Sequence, residues 1–318
     1  MLLNIGLAVI GFVLLIKCAD FFVDGSASLA RNFKISTTII GLTIVAFGTS
    51  APELAISFNS HLSDNADMLF GNVVGSSIGN ILVILAIAIL IKPFKISPDV
   101  IRKQIPILLL VTLGLSVLLL DTFFSDAMHN SLSRADGVIL LLFFSIFINY
   151  LITLIQADKA NDVVIEEPKY KLSRSSLMIL LGLAGIIFGS NLIVDNVEAF
   201  AASIGISQKI ISVTVISIGT SLPELVTTII AAKKGENNMA IGNIVGSNIF
   251  NICVVLGLPV VILGEAVTTA FTFVDVIFMV VSVALLWIFS ATGREIKRLE
   301  AVIFLAIYAA YVGYIFMQ

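Results

Sequence analysis

The chain has 318 residues, of which 58% are hydrophobic and 12% charged, with a formal net charge of −3. Soluble domains carry about 25% charged residues, so this composition, with a mean hydropathy of +1.10, excludes a water-soluble globular fold and a nucleic-acid-binding surface. It marks an all-α integral membrane protein whose solvent is the lipid bilayer. Two cysteines, Cys18 and Cys253, fall in separate apolar runs, and two histidines, His61 and His129, sit far apart in polar loops. That is too few for a disulfide framework or a zinc site.

A bilayer core takes about 20 apolar residues per helix. Runs of that kind fall at 3–24, 36–59, 68–91, 104–121, 134–156, 174–196, 207–231, 239–262, 268–290 and 298–317, predicting ten transmembrane helices. The runs are continuous, without period-two polarity, which excludes an outer-membrane barrel. The first run lacks a basic leader and a small-residue cleavage site, so residues 1–25 read as a retained span.

Lysine and arginine set the orientation. With the N-terminus outside, 15 of them (Arg31, Lys34, Lys92, Lys95, Arg102, Lys103, Lys159, Lys169, Lys171, Arg174, Lys233, Lys234, Arg294, Lys297 and Arg298) fall on the inner side. Only Arg134 and Lys209 fall outside, and Lys17 lies within the first span. The contrast predicts an N-out, C-out protein of the cell membrane.

Two stretches repeat. Thr43-Ile-Val-Ala-Phe-Gly-Thr-Ser-Ala-Pro-Glu-Leu54 precedes Gly71-Asn-Val-Val-Gly-Ser-Ser-Ile-Gly-Asn80, and Thr214-Val-Ile-Ser-Ile-Gly-Thr-Ser-Leu-Pro-Glu-Leu225 precedes Gly242-Asn-Ile-Val-Gly-Ser-Asn-Ile-Phe-Asn251. Both parts are offset by 171 positions (224 − 53 and 251 − 80), with 7 identities in 15 over 43–57 and 8 in 12 over 70–81. This is an internal repeat. Five spans per copy is an odd number, so the second copy enters the membrane inverted, a recurring plan of secondary transporters. The predicted organisation is a first five-helix repeat at 1–157 (its repeated stretch about 36–91), a cytoplasmic linker at 158–173, and a second, inverted five-helix repeat at 174–318 (about 207–262).

Glu53 and Glu224 each fall near the middle of a predicted span. A carboxylate there costs about 2.5–3.5 kcal/mol on insertion scales and marks an ion pathway or proton relay. No lysine or arginine stands at similar depth in the neighbouring spans, so a bound cation or a proton must supply the missing charge. Thr49 and Ser50 precede Glu53 by four and three positions, and Thr220 and Ser221 precede Glu224 in the same way, a spacing that shares a helix face. Ser76 and Asn80 are four apart, as are Ser247 and Asn251. These side chains offer only oxygen and amide, which suits hard cations such as Ca²⁺ or Na⁺ over zinc or copper.

Pro52 and Pro223 lack an N–H, so the carbonyls of Gly48 and Gly219 lose their helical partners. Such backbone is tolerated at membrane depth only in a polar cavity or on an ion. A kinked, discontinuous helix with ligands at the break is expected in each copy. Two glutamates carry a charge that one Ca²⁺ balances, or two Na⁺. Gly71, Gly75, Gly242 and Gly246 read as packing residues that let helices approach closely, and Asn72 and Asn243 as cross-helix bonds.

These paired motifs resemble the two repeats of the calcium/cation antiporter superfamily, and the Gly-Ser after Gly-Asn-Val-Val and Gly-Asn-Ile-Val resembles its prokaryotic sodium/calcium exchanger branch. The resemblance implies a Ca²⁺ site from Glu53, Glu224 and the carbonyls of Thr49 and Thr220. It implies flanking Na⁺ sites from Ser50, Ser76, Ser221, Ser247 and the carbonyls of Ala46 and Ser217, with Asn80 and Asn251 completing the centre. It implies a core of spans 2, 3, 7 and 8 across which spans 1 and 6 slide. Asn251 stands where potassium-dependent exchangers carry aspartate, so no potassium requirement is expected. The large calcium-sensing insert of animal exchangers has no room in the short linker.

The resulting expectation is a Na⁺/Ca²⁺ antiporter working by alternating access, with Ca²⁺ and Na⁺ as substrates, the lipid bilayer as its surroundings, no cofactor and no enzymatic activity; the sequence does not set the oligomeric state, and a monomer is compatible with it. The alternatives are Ca²⁺/H⁺ exchange on the same fold and, from other classes, a cation channel or an intramembrane hydrolase. Neither histidine lies in a span, which counts against the hydrolase.

Overall fold

A computed structural model describes residues 2–93, 95–124, 128–160, 167–204, 217–268, 272–293, 295–315 and 317. Helix α1 covers Leu2–Phe33. A broken span follows, with α2 at Thr37–Thr49 and α3 at Ala51–Leu62 meeting at an angle of 43°. Then come α4 (Ala66–Ile91), α5 (Val100–Leu119) and α6 (Arg134–Ala160). In the second half, α7 is Leu172–Ser203, α8 Ser217–Thr220 and α9 Leu222–Lys234. Last are α10 (Asn237–Leu263), α11 (Phe273–Gly293) and α12 (Arg298–Ile315).

Eight of the described helices are long and apolar enough to cross a membrane, or nine if the bent pair α2–α3 is one span. The expected span at 207–231 includes residues 207–216, which lie outside the described residues, as does Lys209. The all-helical expectation needs one small correction. Strand β1 (Asn130–Leu132) pairs antiparallel with β2 (Ala266–Thr268), and Lys95 forms an isolated bridge with Glu295. These short ribbons tie a connection in one half of the chain to a connection in the other, satisfying backbone groups where the chain leaves the helices.

Burial ranks the helices. In their most apolar windows α10 is 83% buried and α4 67%, against 17% for α6 and α12, so α4 and α10 form the centre. Glycine sets how closely they are approached. A Cβ on Gly242 would lie 2.8 Å from the Thr38 carbonyl, and one on Gly246 2.8 Å from the Leu42 carbonyl, so α2 lies directly on α10. Gly71 and Gly75 meet nothing of the kind among the described residues. Gly246→Ala should cost about 1–3 kcal/mol by overpacking, read as a lower thermal midpoint in detergent.

Helices α1 and α7 are 32 residues each, longer than a bilayer core requires. They run antiparallel along one seam: a Cβ on Gly11 would meet the Gly189 carbonyl at 2.9 Å, and one on Gly182 the Phe22 backbone at 2.9 Å. Small residues at these crossings let the two backbones touch, binding α1 and α7 into a single slab.

Candidate functional site

Each break has the same chemistry. Ser50 (φ −85°, ψ 7°) and Ser221 (φ −89°, ψ 2°) leave helical geometry, and proline stands in the first turn of the helix that follows. Glu53 and Glu224 therefore lie in the first turns of α3 and α9, where the exposed N–H groups and the helix dipole favour negative charge. Ser-x-Pro-Glu has the form of a capping box, but neither serine caps its own helix. Instead the Ser50 hydroxyl donates to Glu224 Oε1 at 2.9 Å, joining the two copies.

Both glutamates are 1% exposed. Among the described residues Glu53 Oε2 and Glu224 Oε2 have no hydrogen-bond partner, and neither do Asn80 Oδ1 and Asn251 Oδ1. The amides are oriented by their nitrogens: Asn80 Nδ2 donates to Asn248 Oδ1 at 2.9 Å, and Asn251 Nδ2 to Ser76 Oγ at 3.1 Å. Four buried acceptors are thus left over. A buried acceptor without a donor is costly unless something positive meets it. Among the described residues the ion pairs all involve other carboxylates.

A π-helical turn begins at each of these asparagines, at Asn80–Leu85 in α4 and Asn251–Leu256 in α10. Such turns loosen the helical hydrogen-bond ladder and recur at functional sites. α3 packs on the second of these turns and α9 on the first, so each glutamate-bearing helix meets the other copy's asparagine turn.

The other expected residues divide. Ser247 Oγ approaches the Ala46 carbonyl at 3.4 Å, bringing that pair together. Thr49 Oγ1 donates to the Val45 carbonyl at 3.0 Å and lies 3.3 Å from Asn243 Oδ1. Ser76 Oγ donates to the Val73 carbonyl at 3.1 Å. Thr220 and Ser221 are half-buried, and the Ser217 side chain lies outside the described residues. As read from the sequence, Asn72 and Asn243 make cross-helix bonds: Asn72 Nδ2 donates to the Glu53 carbonyl at 2.9 Å and Asn243 Nδ2 to Thr228 Oγ1 at 2.9 Å.

One expectation about backbone oxygen changes. The Gly219 carbonyl, freed by Pro223, accepts a 2.9 Å hydrogen bond from Ser190 Oγ of α7. Two residues absent from the sequence reading thus belong to the site, Ser190 and Asn248. Asn248 was legible as a polar residue in an apolar run, at the place of Ser77 in the first copy. Ser190 carried no motif at all.

The chemistry is oxygen-only with two carboxylates. No group of three or more His, Cys, Asp or Glu that could hold a metal occurs among the described residues. The arrangement suits reversible binding of small hard cations. A cavity of about 330 Å³ approaches it between α3 and α7, lined by Pro52, Ala55, Ile56, Asn191, Val194 and Thr220 among others.

Comparison with known proteins agrees. The family profile described as "Sodium/calcium exchanger protein" matches residues 3–153 and 174–317. The chain is 39% identical to the inner membrane protein YrbG of Escherichia coli over 82% of this chain and 81% of that one. It is 30% identical to the sodium/calcium exchanger MaX1 of Methanosarcina acetivorans, covering 98% of both. Among solved structures, the sodium-calcium exchanger NCX_Mj soaked with zero Na⁺ and Ca²⁺ superposes with a TM-score of 0.84 at 30% identity, covering 98% of this chain and 99% of that one.

Proposed function

We propose that this chain, which belongs to the sodium/calcium exchanger protein family and is a multi-pass membrane antiporter, exchanges Na⁺ for Ca²⁺ by alternating access around Glu53 and Glu224. The observation that carries the reading is the set of four unpartnered buried oxygens, on Glu53, Glu224, Asn80 and Asn251. Two carboxylate charges match one Ca²⁺ or two Na⁺, so a single site that accepts either species in turn, never both, couples their movements. In this reading Ca²⁺ is held by Glu53, Glu224 and the carbonyls of Thr49 and Thr220. Na⁺ is held by Ser50, Ser76, Ser221, Ser247 and the carbonyls of Ala46 and Ser217, and Asn80 and Asn251 turn their oxygens to the centre.

The architecture in this reading is ten spans in two inverted repeats, 1–157 and 174–318, joined by a cytoplasmic linker at 158–173, with both termini outside. Equivalent features at one offset support it: the breaks at Ser50 and Ser221, and the π-helical turns starting at Asn80 and Asn251. The glycine seam between α1 and α7 supports their moving together across the core.

Proton coupling is the second reading, since buried glutamates also carry protons. In vesicles loaded with labelled Ca²⁺, an imposed Na⁺ gradient should drive counterflow and a pH gradient alone should not. Flux driven equally by the pH gradient would overturn the sodium assignment.

A further inference from the structure

The cavity runs along the first turns of α3, on the Ser63 side of the break, and the other end of the core carries a cluster of charge. At that charged end Lys234 Nζ, on the last turn of α9, pairs with Asp20 Oδ1 at 2.8 Å and Asp24 Oδ1 at 2.6 Å, both on α1. Lys169, in the linker, pairs with Asp24 Oδ2 at 3.1 Å. Arg31, also on α1, pairs with Glu236 at 2.8 Å, just after α9. Three of these side chains are only 25%, 21% and 20% exposed (Lys234, Asp24 and Arg31), so water screens them less than ordinary surface pairs.

The repeat shows what the mirror-image closure would contain. Subtracting or adding 171 places Ser63 at the counterpart of Lys234 and Asn65 at that of Glu236. On α7 it places Asn191 for Asp20, Asp195 for Asp24 and Ala202 for Arg31. None of these pairs can form an ion pair, and the acidic residues at that end, Asp64 beside Ser63 and Asp195 on α7, carry like charge. Among the described residues the cavity lies on that side of the break, with Asn191 and Val194 of α7 and Ala55 and Ile56 of α3 in its wall. A second difference points the same way. Ser190 bonds the Gly219 carbonyl, but its counterpart on α1 is Ala19, which could offer Gly48 nothing.

We propose that Lys234, with Asp20, Asp24, and the Arg31–Glu236 pair, forms a one-sided lock on α1. It holds the inner gate shut and sets the balance of the exchanger toward the state open on the Ser63 side. The lock rests on the antiport reading for its transport consequence. The lock acts on the gate and not on the ions, so these are positioning residues. When only a fraction of molecules presents the site to a given face, the apparent dissociation constant there is the intrinsic one divided by that fraction. The ratio of outer to inner half-saturation for Ca²⁺ therefore reports the gate equilibrium directly.

Lys234→Ser, which copies the mirror residue, should raise that ratio by about fivefold, the scale of one or two half-exposed ion pairs. Ser63→Lys, which offers Asp195 a partner on the outer side, should raise it too, without touching the inner lock. The charge-swapped double variant Asp24→Lys with Lys234→Asp should return the ratio toward the parent's. An Ala55→Cys probe in the cavity wall supplies a readout that needs no transport. Its modification by an impermeant maleimide from the Ser63 side should slow in both single-variant backgrounds, measured against the same chain without the added cysteine. Failure of the parent to exchange would count against the antiport reading alone, since labelling still tests the lock. An unmoved ratio with unmoved labelling overturns the lock, as does a ratio unmoved because both half-saturations shift together.

Discussion

Glu53→Gln and Glu224→Gln should each abolish Ca²⁺ exchange, with apparent Ca²⁺ affinity lowered by about a thousandfold or more. The estimate is a floor set by charge: one unit of negative charge about 4 Å from just one of the two positive charges of Ca²⁺ is worth about 4 kcal/mol at an effective dielectric of about 20, and each 1.4 kcal/mol is about tenfold in binding. Glutamine keeps the shape and one acceptor oxygen, so the loss reports charge and not a cavity. Thermal unfolding in detergent provides the independent check. Ligand that binds only the folded state raises the melting temperature by mass action, so the parent should be stabilised by millimolar Ca²⁺ and both variants should not. In ion-free buffer the variants should melt no lower than the parent, because each removes a buried carboxylate that only an ion would satisfy. A variant that keeps both its Ca²⁺-dependent stabilisation and its exchange would remove the glutamates from the site.

The reasons some of this site was legible in the sequence, and some not, are physical. Glutamate and proline inside an apolar run are expensive, so Glu53, Pro52 and their copies at Glu224 and Pro223 announced both the break and the charge. What the pattern did not give was the helix polarity around them. The glutamates read as mid-span residues beside a break, and the structure adds that they occupy the first turns of the helices after it, α3 and α9; the Ser-x-x-Glu spacing was the available signal. Contacts between distant segments were the hardest to read. Ser190 is an ordinary helical serine until α7 brings it to Gly219, and Lys234 reads as a solvated inner-loop charge until α1 brings Asp20 and Asp24 to it. Asn248 was visible but unremarked, since an amide in a central helix gains a role only when Asn80 turns its nitrogen onto it. The strands β1 and β2 are three residues each, too short to leave an alternating pattern.

Asn251→Asp should change which ions the exchanger depends on. Asn251 is fully buried, and its Oδ1 is one of the four oxygens left without a donor. Making it a carboxylate takes the site from two negative charges to three while one Ca²⁺ still supplies only two positive ones. An uncompensated charge buried beside two others costs several kcal/mol, more than the site can absorb by relaxation in a close-packed centre between α4 and α10. The third charge must then travel with its own counter-ion, either a proton or an extra monovalent cation. Exchange by the variant should depend several-fold on pH between about 6 and 8, or on added K⁺, at fixed Na⁺ and Ca²⁺, while the parent varies little in the same assay. Asn251→Ser, neutral and also offering oxygen, separates charge from geometry: it should lower Ca²⁺ affinity without creating either dependence. An Asn251→Asp variant with the parent's pH and K⁺ profile would place this side chain outside the electrostatic reach of the glutamates, and the two-charge accounting on which exchange rests would fail with it.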